Sequence, residues 1–139
     1  MKKNLTKAET LQFINQNFKK SKIKNIYIPG FIFFSKSEFK KKKKKINLEI
    51  KKKFRKKKII IRSSSLSEDN ENLSNAGKYL SISNLRSDSK LVEQSIIKIV
   101  KKFDSSKDQI LVQEFIEKTE MSGVIFTREP NYNSPYYTI

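Results

Sequence analysis

At 139 residues and 16.3 kDa the chain is one domain's worth of polypeptide, with room for one modest core and not for two full domains. It contains no cysteine and no histidine. That removes disulfides, the usual zinc, haem and iron–sulfur ligands, and every nucleophile–base pair built on imidazole or thiolate.

The formal charge of +17 is unevenly spread: residues 1–35 carry +6, residues 36–58 carry +12 and residues 59–139 carry −1. Lysine supplies 27 of the 31 basic residues, in a chain also rich in Ile and Asn. The lysine runs therefore read first as a solvated helix face and second as a polyanion contact. The longest apolar run, residues 26–35, holds Pro29 and Gly30 and falls well short of the roughly 20 residues a membrane-spanning helix needs. Glu9, Asn15, Gln16 and Asn17 interrupt any signal-peptide core, so the expectation is a soluble, cytoplasmic protein with no membrane partner.

Thr6 followed by Glu9 forms a capping-box pattern, and Leu11, Ile14 and Phe18 recur at helical spacing, which predicts a helix over residues 7–20. A short strand at 26–28 is punctuated by Pro29-Gly30, and a second apolar run follows at 31–34. Ser35 or Ser37 can cap a helix over 37–55, in which Phe39, Ile46, Ile50 and Phe54 make a sparse apolar stripe among lysines. Ile59, Ile60 and Ile61 read as a buried strand that delivers Arg62 to its C-terminal edge. Residues 63–77 are polar and long for a structureless connection, hence a candidate functional loop. Further strands are predicted over 79–85, 110–116 and 124–127, with a helix over 88–103 capped by Asp88 and bearing Leu91, Val92, Ile96, Ile99 and Phe103. The chain divides into a basic helical part, 1–58, and a sheet-rich part, 59–139, of one domain.

The strongest local signal is Ile-Ile-Ile-Arg62-Ser63-Ser64-Ser65-Leu66-Ser67-Glu68-Asp69, followed by Ser74-Asn75-Ala76-Gly77-Lys78-Tyr79. An arginine at a strand end beside a hydroxyl-rich loop, with Gly77 permitting close backbone approach, supplies what a phosphate needs: a planar cation, O–H donors and free N–H groups. In their order these residues resemble the Val-Arg-Ser-Ser-Ala…Glu-Asp…Ser-Phe-Ala-Gly signature of the ATP-binding domain in the pyruvate phosphate dikinase and phosphoenolpyruvate synthase family. Leu111-Val112-Gln113-Glu114-Phe115-Ile116 and Met121-Ser122-Gly123-Val124-Ile125-Phe126-Thr127-Arg128-Glu129-Pro130 are similar to that family's Val-Gln-x-Met-Val…Ser-Gly-Val-x-Phe-Thr-Arg-Asp-Pro segment. Thr6-Lys7-Ala8-Glu9-Thr10-Leu11 and Ile28-Pro29-Gly30-Phe31 fit its Gly-Gly-Lys-Gly-Ala-Asn-Leu and Val-Pro-x-Gly-Phe more weakly, with Leu5-Thr6 in place of the Gly-Gly.

The resemblance implies an α/β (α+β) fold: part of an ATP-grasp nucleotide-binding domain, a mixed sheet flanked by helices. It implies Lys7 and Arg62 as phosphate-contacting cations, Ser74, Gly77 and Lys78 in a loop over the phosphates, and Gln113, Glu114 and Phe115 near a hinge that offers backbone groups to adenine. Gly123 and Arg128 are expected to be structural. The cofactor implied is ATP, with Mg2+ in the full-length relative, where phosphate passes from ATP through a histidine to an acceptor such as pyruvate. The expected partners are ATP and a separately encoded C-terminal part, because the family's acidic metal ligands and phosphate-accepting histidine have no counterpart in this sequence. These 139 residues alone are therefore expected not to turn over ATP. The alternatives are a small basic nucleic-acid-binding module using residues 40–58, and a non-catalytic remnant lobe. Against the first, the lysines are not interleaved with surface aromatics or Arg.

Overall fold

Two capping boxes start the first two helices. The Glu9 N–H donates to Thr6 Oγ1 (3.2 Å) while the Thr6 N–H donates to Glu9 Oε2 (3.0 Å), opening α1, Lys7–Lys20. Ser35 and Glu38 repeat the arrangement at the start of α2, Lys36–Phe54, which settles the choice between Ser35 and Ser37. The computed structural model describes residues 5–20, 25–65, 80–126, 128 and 134–136. Its other elements are β1 (Phe31–Ser35), β2 (Lys58–Ser64), β3 (Ser81–Arg86), α3 (Leu91–Val100) and β4 (Gln109–Glu114).

The four strands form one sheet in the order β1-β4-β2-β3, with every neighbouring pair antiparallel. The expected mixed sheet is thereby corrected. The chain runs β1-α2-β2 and then β3-α3-β4, and each unit leaves a gap between its strands that a strand of the other unit fills. Because β1 pairs with β4, the sheet also crosses the sequence boundary drawn at residue 58.

Alternation along the strands sends one set of side chains toward α2 and α3. Phe34, Ile59, Ile61, Ile110 and Val112 meet Phe39, Ile46, Ile50 and Phe54 of α2 and Val92, Ile96, Ile99 and Val100 of α3, so the stripe predicted for α2 forms the core, as does that for α3 except Leu91, which is exposed. At about 25 cal/mol per Å² of apolar surface, each fully buried Ile contributes about 1.5–3 kcal/mol. The break in helical geometry at Lys42 lies inside the run of six lysines, where like charges one turn apart oppose a regular helix.

Several expected elements change. The strand expected over 110–116 ends at Glu114. Residues 26–28 are not a strand, and in the 124–127 segment only an isolated bridge at Phe126 is present among the described residues; Val124 and Ile125 are exposed. The edge place in the sheet belongs instead to Phe31–Ser35. The helix expected from Asp88 starts three residues later, because Asp88 pairs with Arg86 (3.1 Å) rather than capping. In α1 only Ala8 is buried; Phe13 and Ile14, on or beside the predicted apolar stripe, are exposed.

Candidate functional site

The sheet face turned away from α2 and α3 carries Phe31, Phe33 and Ser35 from β1, Gln109, Leu111 and Gln113 from β4, and Ile60, Arg62 and Ser64 from β2. The pairings place these in three rows: Phe31–Gln113–Ile60, Phe33–Leu111–Arg62 and Ser35–Gln109–Ser64. At about 3.4 Å per residue the rows cover roughly 14 Å of sheet. Leu111 is buried here outside the helix-side core, and Ile60 and Phe33 are half-buried, so this face is an apolar platform with polar ends.

The serine end of this platform holds the start of α1. The Ala8 N–H donates to Ser64 Oγ (2.9 Å), Thr6 Oγ1 bonds Gln109 Oε1 (2.6 Å), and Gln109 Nε2 donates to Glu9 Oε1 (3.0 Å). Helix starts leave N–H groups unpaired, and here the sheet itself satisfies one of them. The result brings Lys7, the residue before Ala8, to the row next to Arg62. Arg62 is exposed and its guanidinium has no hydrogen-bond or ion-pair partner among the described residues. The chain at Lys7 and the Arg62 side chain, from distant segments, thus lie toward the same end of the sheet, while the Lys7 side chain lines a shallow groove with Leu5, Thr10, Leu11 and Ile14.

Other predicted site residues are placed differently. Ser74, Gly77 and Lys78 lie outside the described residues. Gln113 sits on the platform's far row. Glu114 faces the helix side, where its carboxylate takes Lys57 Nζ (2.7 Å) and Tyr27 Oη (3.2 Å), and this pairing raises the Lys57 pKa above its ordinary value. The N–H groups of Glu114 and Phe115 already donate to the carbonyls of Gly30 (2.8 Å) and Lys58 (2.9 Å). What this strand end offers a ligand is therefore the Gln113 side chain rather than those two donors.

The serine run also has work that its sequence does not announce. Ser64 and Ser65 are buried, and Ser65 Oγ donates to Asp108 Oδ1 (2.6 Å), which ties the end of β2 to the turn before β4. These hydroxyls are structural bonds rather than free phosphate ligands. Thr6, Ser64 and Gln109 are the positioning residues that motif reading missed; only the Thr6–Glu9 cap had a sequence signal. No magnesium ligand set is assigned: among the described residues no three acidic side chains gather around one point, and Glu68, Asp69 and Glu71 lie outside them. No helix among the described residues is long and apolar enough to cross a membrane. No family model, curated protein or solved structure matches the chain.

Proposed function

We propose that this chain is a nucleotide-binding lobe of the ATP-grasp kind, from a phosphotransferase similar to pyruvate phosphate dikinase and phosphoenolpyruvate synthase. In this reading the phosphates of ATP lie at the Lys7–Arg62 end of the open sheet face, the apolar platform carries the less polar part of the nucleotide, and Gln113 sits at the opposite end. The single observation that supports it most is the docking of Ala8 on Ser64, which brings the chain at Lys7 to the end of the sheet face that carries Arg62. Arg62 can hold two phosphate oxygens in directed hydrogen bonds, and Lys7 adds a point charge toward the same end. The phosphate acceptor is not part of the proposal.

The experiment is a titration of ATP against the wild-type chain and Arg62→Ala, beside a variant with residues 40–45 neutralised, at two salt concentrations. The nucleotide reading expects the Arg62 change to weaken ATP binding about tenfold or more and the lysine variant to do little. A nucleic-acid module predicts the reverse: tight, salt-steep duplex binding lost with the lysines and unaffected at Arg62. That second pattern, with no ATP binding at millimolar concentration, would remove the ligand assignment.

A further inference from the structure

A second polar notch lies on the helix side of the sheet, away from Arg62, between α2 and the start of α3. Lys43, Asn47 and Lys51 follow one another at four-residue spacing and so share one face of α2. The first two meet α3: Lys43 Nζ pairs with Glu93 Oε1 (2.7 Å) and Asn47 Nδ2 donates to Glu93 Oε2. Lys51 continues the line into the notch, where it joins Ser87, Ser89 and Lys90. Neither Lys51 nor Lys90 has an ion-pair partner among the described residues.

Two polar atoms in this notch are buried without a hydrogen-bond partner, Ser87 Oγ and Asn47 Oδ1. Ser87 is 1% exposed. Burying a hydroxyl or amide oxygen unpaired is costly, and native structures rarely leave two together. The helix start adds a third feature: Lys90 occupies the cap position of the ten-residue α3 without capping it, and although the N–H groups of Leu91 and Val92 donate to Ser89 Oγ (3.2 Å) and the Ser89 carbonyl (3.2 Å), the positive end of the helix dipole faces the same space.

We propose that this notch is a binding site for inorganic phosphate. Ser87 Oγ–H and the ammonium groups of Lys51 and Lys90 serve as donors to an anion, and the α3 dipole adds a favourable field rather than free N–H groups. The orphaned Asn47 oxygen decides which anion. Glu93 can only accept, so the Asn47 amide must turn Nδ2 toward it and leave Oδ1 facing the notch. An acceptor there repels a bare oxyanion and suits one that carries its own P–O–H, so protonated phosphate fits where sulfate does not. The Glu93 charge is offset by Lys43 and Asn47. The inference is independent of the nucleotide reading.

The test follows backbone amide shifts while inorganic phosphate, sulfate or chloride is titrated at constant ionic strength. Phosphate is expected to give saturable shifts confined to residues 87–94 and the Asn47 side chain, with sulfate at least about tenfold weaker. Ser87→Ala and the exposed Lys51→Gln should each weaken phosphate about tenfold, and Arg62→Ala should leave it unchanged. Lys51→Gln keeps the test valid should Ser87→Ala fail to fold. Equal binding of sulfate, shifts spread over residues 40–45, or no saturation with phosphate would each overturn the site; the last would leave the two orphaned atoms to a bridging water.

Discussion

Replacing Ser64 with alanine should release α1 from the sheet while leaving the sheet itself intact. Both Ser64 and Ala8 are fully buried, and the 2.9 Å bond between the Ala8 N–H and Ser64 Oγ is the link between the helix start and β2. Alanine removes one oxygen and creates almost no cavity, so the cost is that of a buried donor left unpaired, about 1–3 kcal/mol. That corresponds to a shift of roughly 5- to 150-fold in the docking equilibrium. Little else resists the shift, because Ala8 is the only buried apolar side chain of α1. The two bonds of Gln109 remain, to Thr6 and Glu9. Hydrogen exchange read residue by residue is the assay: amides of α1 should exchange faster by that factor, and those of β2 and β4 by much less. Gln109→Ala should act on the same equilibrium, and the double variant should show coupling, since the two residues pair across the strands. Unchanged exchange in α1, or an equal acceleration throughout the sheet, would refute the idea that Ser64 holds a separately releasable helix.

Other outcomes follow from the same structure. Ile61→Ala, at a fully buried position of a central strand, should cost about 2–5 kcal/mol in denaturant unfolding with a lower midpoint and little change in slope. The backbone N–H and hydroxyl of Ser35 hold the Glu38 carboxyl below its ordinary pKa, so this cap stabilises the fold above the ordinary carboxylate range and fades as pH falls through the lowered value. Glu38→Gln should remove that acid-dependent component from pH-dependent unfolding, and Ser35→Ala should cost about 0.5–2 kcal/mol at neutral pH. Lys56 has a φ of 67° directly after Arg55 at 42°, in the region that favours glycine, so Lys56→Gly should raise the melting temperature. The purified 139 residues should release no phosphate from ATP; magnesium-dependent release abolished by Arg62→Ala would show that the chemistry lies in these residues after all.

The helices were legible because caps and periodicity are local. Thr6-x-x-Glu9 and Ser35-x-x-Glu38 mark helix starts, and Phe39, Ile46, Ile50 and Phe54 face the core despite surrounding lysines. Sheet membership was less legible, since apolar runs at 31–34 and 124–127 look alike and pairing with β4 decides between them. Asp88 has the chemistry of a cap, but Arg86 two residues earlier takes its carboxylate. In the candidate site, Arg62 was legible from its place at the end of an isoleucine run. The role of Ser64 was not, because its partner Ala8 lies 56 residues away and contributes only a backbone N–H.

The interleaved strand order has a consequence for how the chain reaches its native state. The strands β1 and β2 do not pair with each other; both pair with β4, which starts only at Gln109, long after β1 ends at Ser35 and β2 at Ser64. A nascent chain that has emerged only through α3 holds the β2–β3 pair and three helices with no strand joining β1 to that pair. The hydrogen-bonding edge of Ile59–Ile61 then stays open until residues 109–114 insert. Late, long-range pairing of this kind slows folding and leaves an isoleucine-rich strand edge available to other chains. Synthesis that stalls between residues 100 and 109 should therefore yield an aggregation-prone species, and the lysines at 40–45 and 51–53 are placed to keep that intermediate apart by repulsion.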